Sequence, residues 1–372
     1  LLAFVDLREV VKQVSEMVHS AREKGFAPEE DAAGNATVAI QIIEACLEHG
    51  IELFHWEDRA FVSFPTPPGG CLSYPLRSRA TERRIRHVWY KREGRSIGPS
   101  ILHEAVATLE TKAFAEGPAI PIWNRVGEHV GNVFVDLGRD DGLLVRISAS
   151  GWTTCYDPKV KFRRPEGFME LPTPQGPGDL RALQALLGIS DDVFYLIAGF
   201  MISGMAPKGP YFGLVIEGEM GSGKSVLAST LKALLDPCDA DRLSLPMTER
   251  DLAIHAKQFR LLSYDNTSGM QPQISDALCK VATGGGLATR KLYTDDELAV
   301  LKTSQPFMLN GISGYARRPD LLERVIYVHL ERVPPEQRKE ERILEGEFER
   351  LAAPGCRRAG HGAAPMVTHS AS

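Results

Sequence analysis

The residues Gly218-Glu219-Met220-Gly221-Ser222-Gly223-Lys224-Ser225 read G-x-x-x-x-G-K-S, the spacing of a phosphate-binding loop. Gly218, Gly221 and Gly223 let the backbone bend so that successive N–H groups converge on one anion. Lys224 brings a point positive charge to the β- and γ-phosphates of a nucleotide. The Ser225 hydroxyl is a Mg²⁺ ligand type. The flanks agree with this reading. Tyr211 to Ile216 is a short apolar run that predicts a buried strand, and Val226 to Leu235 predicts a helix whose N-terminus faces the phosphates. The loop alone selects ATP or GTP.

Downstream, Phe259 to Asp265 is an apolar strand ending on a carboxylate. A carboxylate at that place holds the metal's water shell opposite the phosphates, so Asp265 and Ser225 form the expected metal site. A helix over Ile274–Ala282 comes after it, then Thr283-Gly284-Gly285-Gly286. Next comes a hairpin-like insert: Ala288 to Tyr293, the acidic turn Thr294 to Glu297, and Leu298 to Lys302. Gln305 to Asn310 is a strand ending on an amide; Tyr315 to Arg324 is arginine-rich; Val325 to Val328 is a last strand. Buried strands interleaved with helices argue for a parallel α/β sheet with nucleotide at its C-terminal edge. This domain is expected over 179–335, then a charged helix over 336–350 and a disordered or aberrant tail over 351–372.

Upstream, residues 1–50 read as a helical segment. Val10, Val11, Val14, Met17 and Val18 recur at helical spacing, and a second helix spans Ala36 to Glu48. Residues 51–170 read as a mixed α+β accessory domain. It has short strands at Ile51–Trp56 and Ala60–Phe64, a helix at Ile101–Ala115 and a hairpin from Val133 to Ile147. Within it, Arg77, Arg79, Arg83, Arg84, Arg86, His87, Lys91, Arg92 and Arg95 surround Trp89 and Tyr90. Such a stretch is either a track for a phosphate backbone with stacked bases, or, as the favoured reading, a solvated amphipathic helix with Val88, Trp89 and Tyr90 turned inward. Pro165 to Gly178 reads as a linker.

Composition sets the bounds. The 372 residues are 43% hydrophobic and 24% charged, ordinary for a globular protein of two or three domains. The formal net charge of -5 excludes a general polycation, so contact with nucleic acid must come from a local patch. The six cysteines are scattered without C-x-x-C spacing, which points to a reduced cytoplasmic protein without structural zinc. The longest apolar stretch, Val193 to Ala206, is too short for a membrane span and reads as a buried helix. No signal peptide is visible. The chain begins at Leu1 rather than Met, which is compatible with a fragment.

The order of these motifs resembles superfamily 3 helicases, nearest the helicase half of phage and plasmid primase–helicases, and ATP-binding proteins of bacterial mobile elements. The residues that carry the resemblance are the loop, Asp265-Asn266, Thr283 to Gly286, Arg290 to Tyr293, Leu309-Asn310 and the run Arg317–Arg324. It covers 180–335. The resemblance implies an α/β P-loop NTPase of the AAA+/superfamily 3-like kind, with a parallel sheet core preceded by a mixed α+β domain and N-terminal helices. It implies ATP and Mg²⁺ as cofactors, a homo-oligomeric ring, and single-stranded DNA as partner. Gly218, Glu219, Met220, Gly221, Ser222, Gly223, Lys224 and Ser225 would hold the triphosphate, with Asp265 completing the metal site. Asn310 would sense the γ-phosphate or the attacking water. Arg290 and Lys291 would meet the DNA backbone, and Arg324, or Arg317 or Arg318, would reach a neighbouring subunit's ATP.

Two departures stand out. Many relatives place a catalytic Glu after the aspartate, whereas this chain has Asn266, so the general base is unassigned, with Glu217 one candidate. The hairpin turn is acidic at Asp295, Asp296 and Glu297. The competing functions are a P-loop small-molecule kinase and a nucleotide-bound assembly module with little hydrolysis.

Overall fold

The computed structural model describes residues 30–176, 178–290, 298–302, 304–312, 314–334, 336 and 341–352. The helix expected before Gly25 and the tail after Ala352 lie outside these residues. The chain forms two compact units, Leu1–Ile122 and Trp123–Ser372.

In the first unit, β1 (Glu52–Trp56), β2 (Arg59–Pro65) and β3 (Cys71–Pro75) form an antiparallel sheet in that order. Three helices accompany it: α1 (Glu30–Glu48), α2 (Arg79–Glu93) and α3 (Pro99–Ala115). Strand alternation puts Ala60, Val62 and Phe64 on one face of β2. There they meet Ile42 and Cys46 of α1, Ile85, Val88 and Trp89 of α2, and Leu102, Ala105 and Leu109 of α3 in one buried cluster. Each such large side chain contributes about 1.5–3 kcal/mol on burial. Ser78 starts α2 by accepting the Thr81 N–H, and Gly94 ends it at φ 68, a left-handed cap that favours glycine. The expected boundary at residue 50 is therefore not a domain boundary, because the apolar face of α1 is part of the first unit's core. Tyr90 also departs from expectation: Val88 and Trp89 are buried, but Tyr90 faces solvent.

The second unit begins with an antiparallel sheet of β4 (Val126–His129), β5 (Asn132–Asp136), β6 (Leu144–Ser148) and β7 (Gly151–Cys155). Helices α4 (Leu180–Leu187) and α5 (Asp191–Gly204) lead into the parallel sheet. Its strands are β8 (Gly213–Gly218), β9 (Leu262–Tyr264), β12 (Phe307–Gly311) and β13 (Val325–Leu330), in the order β9-β12-β8-β13 with every pair parallel. Between them run α6 (Lys224–Leu235), α7 (Glu249–Gln258), α8 (Pro272–Thr283), the antiparallel hairpin β10 (Gly286–Arg290) with β11 (Leu298–Lys302), and the short α9 (Pro319–Leu322). The charged helix is α10 (Glu341–Ala352).

Both faces of this sheet are covered, which is why its strands read as apolar runs rather than alternations. Leu214, Ile216, Met308 and Val328 pack with Leu227 and Leu231 of α6 and Ile197 and Phe200 of α5. Val215, Leu262, Tyr264, Phe307 and Leu309 pack on the other side with Leu252 of α7 and Ile274, Leu278 and Val281 of α8. The long apolar α5 is buried only on that one side, since Tyr195 and Ile202 are exposed. Among the described residues no single helix is long and apolar enough to cross a membrane.

The accessory stretch 51–170 divides between Ile122 and Trp123, and buried charges explain why. Arg125 is fully buried. Its guanidinium donates to the carbonyls of Asp136, Met169 and Pro237 and pairs with Asp236 at 3.4 Å. Asp236 also accepts from Lys232 at 2.7 Å and from the backbone N–H groups of Arg260 and Leu261. Residues 123–171 are thus tied to α6 and the parallel sheet. The same contacts shorten an expected strand. The N–H groups of Arg260 and Leu261 serve Asp236, so ladder pairing starts at Leu262. The expected linker is docked through Leu171, whose N–H donates to Leu137 O, and Phe168, which bridges to Cys238.

Candidate nucleotide site

The C-terminal ends of β8, β9 and β12 bring the loop, Asp265 and Asn310 to one edge of the sheet. β8 delivers Gly218 beside Leu330 of β13, where a Cβ would lie 2.5 Å from Leu330 O and 2.6 Å from Ser222 Oγ. Only glycine fits that approach. Gly223, at φ 82, is the N-cap of α6 and supplies no side-chain bond. The first-turn N–H groups and the positive end of the helix dipole are therefore turned toward the loop without a side-chain cap.

Lys224 Nζ donates to Gly218 O and Glu219 O, both at 2.8 Å, which holds the ammonium over the loop. Burial lowers its pKa below the usual lysine value, and nearby Asp265 acts in the opposite sense. Ser225 Oγ donates to Asp265 Oδ1 at 3.4 Å, joining the start of α6 to the end of β9. Among the described residues no group of three His, Cys, Asp or Glu side chains gathers at metal-ligand spacing.

Asn310 lies level with Ile216 and is buried. It alternates with Leu309, so it shares the α6 side of the sheet with Met308. Its Oδ1 accepts the Asn266 N–H at 3.0 Å, and its backbone carbonyl accepts the Thr267 N–H at 2.8 Å. With the oxygen occupied, the amide NH₂ is the end left to donate.

Asn266 has a role that its sequence position did not disclose. It sits at φ 52, in the left-handed region where asparagine is tolerated, and its N–H is shared between Asp265 Oδ1 and Asn310 Oδ1. An Asp-Asn pair ending a strand is the signal for such a turn. Glu217 also differs from its candidacy as base. It alternates with Ile216 and so faces away from α6, where Gly314 N–H donates to it at 3.0 Å and Tyr327 Oη donates to its other oxygen. Tyr315 Oη donates to the Ile216 and Leu309 carbonyls. Glu217 and Tyr315 together latch the 314–317 turn onto the sheet.

Each of the three arginines has a partner other than the loop, Asp265 or Asn310, and Arg317 sits in the turn that Gly314 holds to Glu217 near the C-terminal end of β8. Arg324 immediately precedes β13, whose first residue Val325 is level with Gly213, about 16 Å of strand from Gly218. It donates to Asp320 O. Arg318 pairs with Asp276 at 2.9 Å, and Arg317 donates to Gly314 O. Arg290 ends β10, its backbone opposite Leu298, while Lys291 and the acidic turn lie outside the described residues.

The chain's residues 182–354 match the family described as actinomycete integrative conjugative element replication protein. No curated protein matches the sequence. Among solved structures, the chain is similar to the NrS-1 C-terminal region, at 11% identity and TM-score 0.47 over 84% of this chain and 66% of that one. It is similar to the SCCmec type IV Cch active helicase at 12% identity and TM-score 0.42, over 81% of this chain and 57% of that one. It is also similar to the JCV helicase at 14% identity and TM-score 0.33, over 46% of this chain and 52% of that one. The chain spans about two thirds of the NrS-1 structure and less of the other two.

Proposed function

We propose that the chain is a Mg²⁺-dependent ATPase that acts on DNA as a helicase-like motor in the replication of a mobile element, built on a P-loop core of the AAA+/superfamily 3 kind. The observation that carries this reading is the convergence of Lys224, Ser225, Asp265 and Asn310 at the C-terminal edge of one parallel sheet. The donor set suits a triphosphate with its metal. A Cβ at Gly223 would meet only open space, the α6 N-terminus has no side-chain cap, and a hydroxyl stands 3.4 Å from a carboxylate. Mg²⁺, when bound, supplies neutralisation of phosphate charge and orientation of the leaving group. Lys224 moves from the loop carbonyls to the phosphates, Ser225 and Asp265 hold the metal, and the Asn310 NH₂ orients the γ-phosphate or water. The match of 182–354 to a mobile-element replication family supports the biological setting.

An amide at 266 cannot take a proton, and Glu217 points to the other face, so turnover is expected to be slow in the isolated chain. On this reading Arg324, or Arg317 or Arg318, reaches a neighbouring subunit's nucleotide, which makes assembly a condition of turnover. The test is steady-state ATP hydrolysis with and without single-stranded DNA. Stimulation that disappears in Asp265→Ala is the expected result; turnover indifferent to DNA argues for a nucleotide-bound assembly module instead.

A further inference from the structure

The first unit carries a basic surface that the nucleotide site does not use. α2 holds six Arg and Lys against two Glu, in a chain whose formal net charge is -5. Some of these cations have work within the fold. Arg84 lies 4.9 Å from the Tyr74 ring centre and donates to its hydroxyl. Arg86 donates to Ile97 O, and Arg92 pairs with Glu48 at 2.9 Å and Glu93 at 3.5 Å. Beyond the helix ends, Arg77 pairs with Glu110, and Arg95 stacks over Trp89.

Arg79, Arg83 and Lys91 are different. All three are exposed, and none has an ion pair or side-chain hydrogen bond among the described residues. Arg79, Arg83, exposed His87 and Tyr90 fall within an arc of about 80° on the helix, with Lys91 one step further round. Tyr90, at 61% exposure, puts an aromatic face within this stripe, near its Lys91 end. Neighbouring Trp89 is buried, so Tyr90 is not needed to complete the core. From Arg79 to Lys91 the helix rises about 18 Å, the length of about five phosphates along one strand.

We infer that the outer face of α2 is a second nucleic-acid contact, on which Arg79, Arg83 and Lys91 neutralise backbone phosphates and Tyr90 stacks an unpaired base. It deepens the DNA-acting reading above and rests on it, adding a contact outside the ATPase core. Charge complementarity favours a polyanion, and the exposed ring within the stripe favours single-stranded nucleic acid over an acidic protein.

The test uses the full chain with a labelled oligothymidylate, its duplex counterpart and poly-glutamate as probes, read by fluorescence anisotropy across a salt series. In Arg79→Gln/Arg83→Gln/Lys91→Gln, the slope of log K against log salt should flatten by about 2 on the single strand. Tyr90→Ala should weaken single-strand binding about tenfold and leave duplex binding unchanged. Should the triple variant not fold, Arg83→Gln alone carries the test, with a slope change of about 0.7. Unchanged affinity and slope in these variants overturn the inference, as does tighter binding of poly-glutamate than of the oligonucleotide. DNA-stimulated turnover on the same preparations separates the two readings. If wild type is stimulated and the variants bind as wild type does, the α2 contact is wrong and the motor reading stands. If no stimulation occurs but the variants lose binding, the motor reading is wrong and the contact stands.

Discussion

Two lysines of α6, about two turns apart, each stand near an aspartate, and their surroundings differ in one respect. Around Lys232 the charged groups are paired with one another. Its ammonium meets Asp236 and Leu261 O, and Asp236 in turn takes Arg125 and two backbone N–H groups, all in the interior. Around Lys224 capacity is left over. The ammonium rests on two loop carbonyls that a phosphate would displace, Asp265 meets Ser225 only at 3.4 Å, and Asn310 keeps an NH₂ to donate. The first arrangement fixes a domain boundary. The second keeps hydrogen-bonding capacity that the proposed nucleotide would use. Residue type does not separate them; the remaining hydrogen-bonding capacity does.

The sharpest way to break this comparison is to remove the hub of the paired cluster. Asp236→Ala strands Arg125 and Lys232 in the interior and should cost about 3–5 kcal/mol of stability, measured by urea unfolding. At the open cluster, Asn310→Ala should keep nucleotide affinity while lowering turnover about 10²-fold, measured by single-turnover hydrolysis. Equal losses in binding and stability would place Asn310 with the structural groups.

Acid supplies a third contrast. Burial by itself raises the Asp236 pKa, but Lys232, Arg125 and the Leu261 N–H outweigh it and hold the carboxyl below its ordinary value. The folded-state pKa is depressed, so the stabilisation is complete above the unfolded value of about 3.9 and is lost as pH falls through the lower folded value. Urea unfolding between about pH 5 and pH 2 should therefore show a steep loss in wild type and a shallower one in Asp236→Ala. The smallest effect is expected at Asn266. Asn266→Glu places a residue without asparagine's tolerance at φ 52, at a cost of about 1–2 kcal/mol, and should not raise turnover. A faster enzyme would mean that only the missing acid limits it.

The loop, its strand and its helix are legible in the sequence because each is written in local spacing: glycines where the turn needs them, an apolar run before, a 3.6-residue period after. Asp265, Asn310 and the hairpin are legible for the same reason. The first boundary is not. It depends on Arg125 finding Asp236, a pairing 111 residues apart that no local period encodes. The length of β9 escapes likewise, because two N–H groups that an apolar run assigns to a ladder are taken by that same carboxylate. Tyr90 parts from its apolar neighbours for a related reason. Exposure along a helix is set by what packs beneath it, and Trp89 fills that place. The arginines after Asn310 are legible as a group, while their separate hydrogen-bond partners are not.

The central claim is that the Lys224 cluster exists to hold a nucleotide and contributes little to the fold. Equilibrium binding of a fluorescent ATP analogue with Mg²⁺, alongside urea unfolding, for wild type and Lys224→Ala tests it most directly. The expected result is affinity lower by about 10- to 100-fold with stability within about 1 kcal/mol of wild type. Unchanged affinity in Lys224→Ala would contradict the account.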